Sequence, residues 1–297
     1  ALGAAVENAV LAARSLGLAA AVEPIAGGHG VYGRRLILRR ERVEEPELLR
    51  FVARRVTNRR KAPWKPLAGE HRQALLNATE GSGARLQLLE DPAAVSAAAS
   101  LLGRADRLVY LSRRMHADLV QEVRWSPEEV LAKRDGIDLA TLDLEPKDVA
   151  VLRTLQSWPA LARVRSIGGG EALEEGTREL VQPASAVALV TMAGTGRDAY
   201  FDGGRALQRV WLRATEHGLG VHPFGLPFLF ARLERGAGTG FDAGECEVLS
   251  GMRRRYHELF DVRAGETEVL LFRVFYGEEP SARALRRPLA DVLSYAP

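Results

Sequence analysis

The chain has 297 residues, of which 46% are hydrophobic and 27% charged, with 41 basic against 38 acidic side chains and one cysteine. These values exclude a largely disordered chain and a disulfide-rich miniprotein, and the length predicts one large domain or two intimate ones. A net charge of +3 is too small to argue for nucleic acid, no stretch approaches the ~20 apolar residues of a membrane span, and neither a signal peptide nor an anchor is read. A cytoplasmic location is expected from the lone Cys246.

The first element is a helix with Val6, Val10, Leu11 and Leu18 on one face, ending near Gly17. A glycine turn from Gly27 to Gly33, a strand at Leu36-Ile37-Leu38 and the acidic turn Glu44-Glu45-Pro46 follow. The patterning then predicts an amphipathic helix over Pro46 to Arg55, a helix over Ala68 to Thr79, a strand over Arg85 to Leu89 and a helix from Pro92 through Leu102. A longer helix is predicted over Ser112 to Val123, then a turn in which Ser126 caps and Pro127 takes the first helical position. Ala186 to Thr191 reads as a buried strand, Gly168-Gly169-Gly170 and Gly236 to Gly244 as loops, and Val221 to Phe230 as a connector packed over the core. A last strand is predicted over Val269 to Tyr276, before Glu278-Glu279-Pro280. Helices with few strands and no regular βαβ rhythm indicate an α+β or α/β class.

The opening helix recurs. Gly3 to Leu18 aligns without gaps on Gly204 to Leu219, at an offset of 201, with small residues at Ala5/Ala206 and Ala13/Ala214 and a glycine suited to a left-handed cap at Gly17/Gly218. Helix, glycine, strand and acidic-Pro turn occur twice in that order.

Gly28-His29-Gly30-Val31-Tyr32-Gly33 spells GxGxxG, but a dinucleotide site needs a strand before it and a helix after it, the reverse of the order here. The six histidines include no i, i+4 pair, so no metal site is expected, and Cys246 in a Gly/Asp/Glu loop has no adjacent base to activate it. What remains is arginine: Arg54-Arg55 and Arg59-Arg60-Lys61 in one cluster, Arg283, Arg286 and Arg287 in another. Two clusters far apart in sequence fit either convergence on one phosphate or solvated surface charge.

Thr57-Asn58-Arg59-Arg60 with Pro63, Arg124-Trp125-Ser126-Pro127, Asp135-Gly136-Ile137, Gly204 to Arg209 with Ala214 and Gly218-Leu219, and Arg286-Arg287-Pro288-Leu289 together resemble the nitroreductase superfamily, most closely its tandem-repeat branch. The resemblance implies an α+β, three-layer fold with a mainly antiparallel central sheet flanked by helices, and two pseudo-repeats in one chain. Residues 1–45 would be the remaining part of a first half, intertwined with a second half over 46–297. It implies FMN between the halves, NAD(P)H as reductant and a small-molecule acceptor such as a nitroaromatic or quinone, with no catalytic side chain and no nucleic-acid or membrane partner. The family's flavin contacts fall on Arg55, Thr57, Arg59 and Arg286, and the turn facing the flavin ring falls near Phe224 and Gly225. The family's Pro-Ser-x-x-Asn-x-Gln segment has no counterpart in Asn77 to Arg85, and Ala284 replaces a basic residue. These departures keep a second expectation open: a flavin-sequestering or redox-inactive relative, with the C-terminal module of a larger fusion as one form of it. A pseudo-dimer within one chain is expected to be monomeric, whereas a homodimer would mean that a second chain completes the site.

Overall fold

The computed structural model describes residues 1–25, 33–236 and 240–295. Helix α1 (Leu2–Ser15) leads into an antiparallel ribbon of β1 (Leu18–Pro24) and β2 (Arg34–Arg40). The short α2 (Leu49–Val52), α3 (Gly69–Asn77), β3 (Ala84–Leu89), α4 (Pro92–Leu111) and α5 (Arg113–Glu122) follow. A two-residue parallel bridge joins β4 (Val123–Arg124) to β5 (Ile137–Asp138) around α6 (Pro127–Lys133), and β5 runs into a 3-10 turn at Leu139–Leu142. After α7 (Pro146–Thr154), α8 (Trp158–Ser166) and α9 (Ala172–Val181) come β6 (Ala186–Ala193), α10 (Gly196–Glu216), β7 (Leu219–Phe224), α11 (Leu226–Glu234), α12 (Ala243–Leu259) and β8 (Glu266–Tyr276).

Strands β3, β6, β8 and β7 form one sheet in that order, every neighbouring pair antiparallel. Side chains alternate across it. Val187, Leu189 and Leu271 pack under α4, α11 and α12 with Val95, Leu102, Phe230, Leu249 and Tyr256. Ala188, Val190 and Phe272 pack on the other face with Leu75 of α3 and Val210 and Trp211 of α10. Both faces are covered, which is why β6 is an unbroken apolar run rather than an alternating one. Each fully buried Leu or Val contributes roughly 1.5–3 kcal/mol. The fold is therefore α+β, three layers about an antiparallel sheet, as the resemblance implies. Ser126 caps α6 as the sequence indicates, accepting from Glu129 N–H with Pro127 following, and a reciprocal capping box of Asp242 and Glu245, which the sequence reading does not include, starts α12.

Several expectations are corrected. The amphipathic helix over Pro46 to Arg55 shrinks to α2, because the chain turns after Phe51 enters the core and runs extended along the sheet. Helix α4 continues past Leu102 to Leu111, since Ala105 and Leu108 still face the core, and it exceeds α5 in length. The Val221 to Phe230 connector is not a loop: it is β7 followed by α11. Pro223 is tolerated there because β7 lies at the end of the sheet order, and Pro227 sits in the first turn of α11. Cys246 lies within α12, not in a loop, and Ala243-Gly244 are its first turn. Residues 237–239 and the motif residues Gly28 to Tyr32 lie outside the described residues. Strand β1 has no sequence signal, because Ala19-Ala20-Ala21 has little strand propensity.

The two repeated helices pack on each other. A Cβ on Gly3 would sit 1.9 Å from the carbonyl oxygen of Phe201, and one on Gly204 would lie 3.5 Å from Gly3 Cα. Glu7 accepts from Arg209 at 2.9 Å, and Gln208 donates to Asn8 at 2.7 Å. At the offset of 201, Glu7 corresponds to Gln208 and Asn8 to Arg209, so the two contacts are reciprocal, the pattern a two-fold axis between copies of one helix produces. Gly17 and Gly218 both close their helices at positive φ, +70° and +66°. The strands that follow, starting at Leu18 and Leu219, each pair antiparallel with a later strand, with Leu18 opposite Arg40 and Leu219 opposite Tyr276.

Candidate functional site

The arginine segment after α2 is held along the outer edge of β7. Asn58 N–H donates to the Val221 carbonyl at 2.9 Å, its side-chain amide donates to the Glu278 carbonyl at 2.8 Å, and its side-chain oxygen accepts from Arg60 N–H at 3.1 Å. Asn58 is accordingly buried. From inside the sheet, Arg273 of β8 donates to the Arg60 carbonyl at 2.6 Å and to the Leu180 carbonyl at the end of α9, with its guanidinium 4.2 Å over the Phe275 ring. Arg273 is 0% exposed, and burial draws its pKa down to about 9, which still leaves it charged at neutral pH.

Arg55 stacks 4.5 Å over the Trp211 ring. Its pKa is lowered first by burial and then by the charge of Arg286. The C-terminal segment is tied down at two points: Arg283 donates to the Ala53 carbonyl at 3.1 Å, and Arg287 pairs with Asp135 at 3.1 Å. Among the described residues, neither Arg55 nor Arg286 forms an ion pair with a carboxylate. Arg55 is half-buried and Arg286 exposed; like-charged guanidiniums gain from a shared anion, and phosphate matches their donor geometry.

Arg59 turns elsewhere. Its guanidinium reaches the Thr141 carbonyl at 3.3 Å and hydroxyl at 3.4 Å, in the 3-10 turn, and its pKa is lowered by burial against an opposing pull from Asp143. Thr57 is half-buried between the two arginines in the chain. Phe224 ends β7 with its ring in the core beside Phe230 and Leu271, and Gly225 is the exposed N-cap of α11, so this turn offers backbone groups rather than the Phe224 ring. The Asn77 to Arg85 stretch spends its polar groups locally: Thr79 donates to the Leu76 carbonyl, Ser82 to the Thr79 carbonyl, and Arg85 pairs with Glu266.

Four residues escape sequence reading: Asn58 and Arg273, which anchor the segment, Trp211 beneath Arg55, and His222. The His222 ring lies opposite Arg273 in the sheet and 4.6 Å from Phe224. Burial, then Arg273 and Arg59, hold its pKa well below the ordinary value, and its Nδ1 is buried with no partner among the described residues. A signal existed for Arg273, as the one charge inside the apolar run Val269 to Tyr276. Among the described residues, no three His, Cys, Asp or Glu side chains gather to hold a metal ion, and no helix is long and apolar enough to cross a membrane.

No family model matches the chain. An uncharacterized protein of Mycobacterium tuberculosis (strain CDC 1551 / Oshkosh) is 34% identical over 215 residues, 72% of this chain and 30% of the relative, so the match spans under a third of that relative's length. Among solved structures, the FMN-dependent nitroreductase NfnB from Mycobacterium smegmatis, in complex with NADPH, is similar at 14% identity and a TM-score of 0.47, over 84% of this chain and 97% of that one. A nitroreductase with bound FMN from Desulfitobacterium hafniense is similar at 15% identity and a TM-score of 0.44, over 85% and 99%.

Proposed function

We propose that the chain is an FMN-binding oxidoreductase of nitroreductase type, taking hydride from NAD(P)H and passing electrons to a small-molecule acceptor of nitroaromatic or quinone kind. The observation that supports the reading is the arginine segment pinned along the edge of β7, with Arg55 stacked on Trp211, the C-terminal segment tied to it at Ala53, and no carboxylate paired with Arg55 or Arg286 among the described residues. The residues present fit the phosphate end of FMN: Arg55 and Arg286 would take the phosphate, Thr57 the ribityl chain, and Arg59 the region toward the ring. At the ring end, the fit rests on backbone groups at Phe224 and Gly225. In this reading residues 1–45 and 46–297 are the unequal halves of one pseudo-dimer, with the α1 and α10 contact on its axis, working as a monomer.

The chemistry that bound FMN supplies is two-electron transfer by hydride. The protein's share is binding and orientation. Arg55, stiffened by its stack on Trp211, and Arg286 fix the anionic end. Arg59, His222 and Arg273 keep the β7 end of the site positive or neutral, which favours a developing negative charge over a neutral ground state. No side chain is required as acid or base.

A second reading, in which the chain retains flavin without turnover, is favoured by one observation: the Thr79 to Arg85 turn bonds to itself and to Glu266, and offers no asparagine or glutamine pair. Anaerobic addition of NADPH to the flavin-loaded protein separates the two. Bleaching within seconds, with reoxidation by a quinone, is expected for the oxidoreductase; colour that persists would establish retention without turnover.

A further inference from the structure

We propose that Arg273 and Asn58 are positioning residues that set the arginine segment for phosphate, and that through them the site selects FMN over riboflavin. The inference rests on the FMN reading above and extends it to residues that touch no ligand.

A wholly buried guanidinium with no carboxylate beside it is costly, and burial of this kind is normally offset by a paired anion. Arg273 instead donates from its two terminal nitrogens to two main-chain carbonyls, Arg60 on one side and Leu180 on the other, while its Nε is buried without a hydrogen-bond partner among the described residues. The bond to Arg60 fastens the far end of the segment to the central sheet. Asn58 fastens its middle with three bonds, to Val221, Glu278 and Arg60, tying the segment to β7 and to the chain leaving β8. The near end is fixed where Arg55 leaves the last turn after Phe51, its amide donating to the Phe51 carbonyl at 2.9 Å. Between these ties, Arg55, Thr57 and Arg59 have little freedom of main chain. Their side chains emerge from an extended backbone on an edge that would otherwise be free, and the C-terminal segment is tied back to the start of this stretch where Arg283 donates to the Ala53 carbonyl. An arginine held in this way forfeits less rotational freedom when it engages a phosphate, so the preorganisation appears as affinity for the anionic part of the ligand alone.

The choice of arginine at 273 also serves the neighbourhood. His222, directly opposite in the sheet, has its pKa held well below the ordinary value by burial and then by the charges of Arg273 and Arg59. A neutral strand residue such as methionine at 273 would remove both the carbonyl bonds and this field, whereas lysine would keep a cation but only part of the two-sided grip.

The test is the ratio of riboflavin to FMN dissociation constants, read by quenching of flavin fluorescence in the full chain. The wild type is expected to prefer FMN by about 100-fold or more. In Arg273→Met and in Asn58→Ala that ratio is expected to fall at least tenfold while riboflavin affinity stays within about twofold, with Arg273→Lys between. A general loosening of structure would weaken both ligands alike and leave the ratio untouched, and that result overturns the proposal. If Arg273→Met does not fold, Asn58→Ala and Arg273→Lys carry the same test. If the wild type binds neither flavin, the FMN reading itself falls. The positioning claim is then decided by hydrogen exchange: the Asn58 and Arg60 amides must lose protection in Arg273→Lys more than those of β6, and equal protection refutes it.

Discussion

Glu7 of α1 lies buried between Arg205 and Arg209 of α10, accepting from each at 2.9 Å. One helical position along, Asn8 meets Gln208, so the contact repeats itself under the exchange of the two helices. The closest approach is at Gly3, where the neighbouring helix backbone leaves no room for a side chain.

That interface yields a graded prediction. Gly3→Ala forces a Cβ onto the Phe201 carbonyl and is expected to cost about 2 kcal/mol or more, whereas Gly204→Ala, with only ordinary contacts, should cost under about 1 kcal/mol. Glu7→Ala strands two arginines and should cost about 3 kcal/mol. Urea unfolding of the three variants checks the order; equal costs for the two glycines would contradict the packing.

The paired arginines predict opposite effects on the protein with and without ligand. Arg286→Ala removes a charge that repels Arg55, so the flavin-free protein should melt no lower than the wild type. The same variant should weaken FMN binding by about 1–3 kcal/mol, as should Arg55→Ala. Calorimetry of both forms checks this, and a lower melting temperature with unchanged FMN affinity would reverse the assignment.

Two titrating groups should act on stability in opposite directions. His222 has a folded-state pKa well below 6.5, so the unfolded chain binds the extra proton and stability falls as pH drops below 6.5, by up to about 2 kcal/mol at pH 5. Asp106, which accepts from the Thr177 hydroxyl, is raised by burial to about 6, so its contribution is full below 3.8 and is lost as pH rises through 6. His222→Phe should flatten the acid-side decline, and Asp106→Asn should steepen it. Denaturation at pH 5 and pH 7.5 measures both.

Much of the fold was legible because it follows from periodicity. The apolar runs Ala186 to Thr191 and Val269 to Tyr276 mark β6 and most of β8, and the small residues of the repeat mark both helices as close-packing, though not as packing on each other. Strand β7 was misread because His222-Pro223-Phe224 carries a turn residue that only an end strand tolerates, a property of sheet order rather than of local sequence. In the candidate site, the arginines were visible as clusters, but their partners were not. Arg59 reaches Thr141 and Arg55 reaches Trp211 across long sequence separations, and Arg273 acts through main-chain carbonyls that carry no side-chain signature.

The stoichiometry of retained FMN tests the central claim most directly. At the offset of 201 His222 corresponds to Ala21, and where Arg273 stands opposite His222, Ile37 stands opposite Ala21; Arg55 and Arg286 likewise occur once. The visible spectrum of the protein after FMN loading and desalting should therefore show one flavin per chain, on a particle that sediments as a monomer. A desalted protein that carries no flavin would contradict the account, and a dimer carrying one flavin for every two chains would contradict the pseudo-dimer.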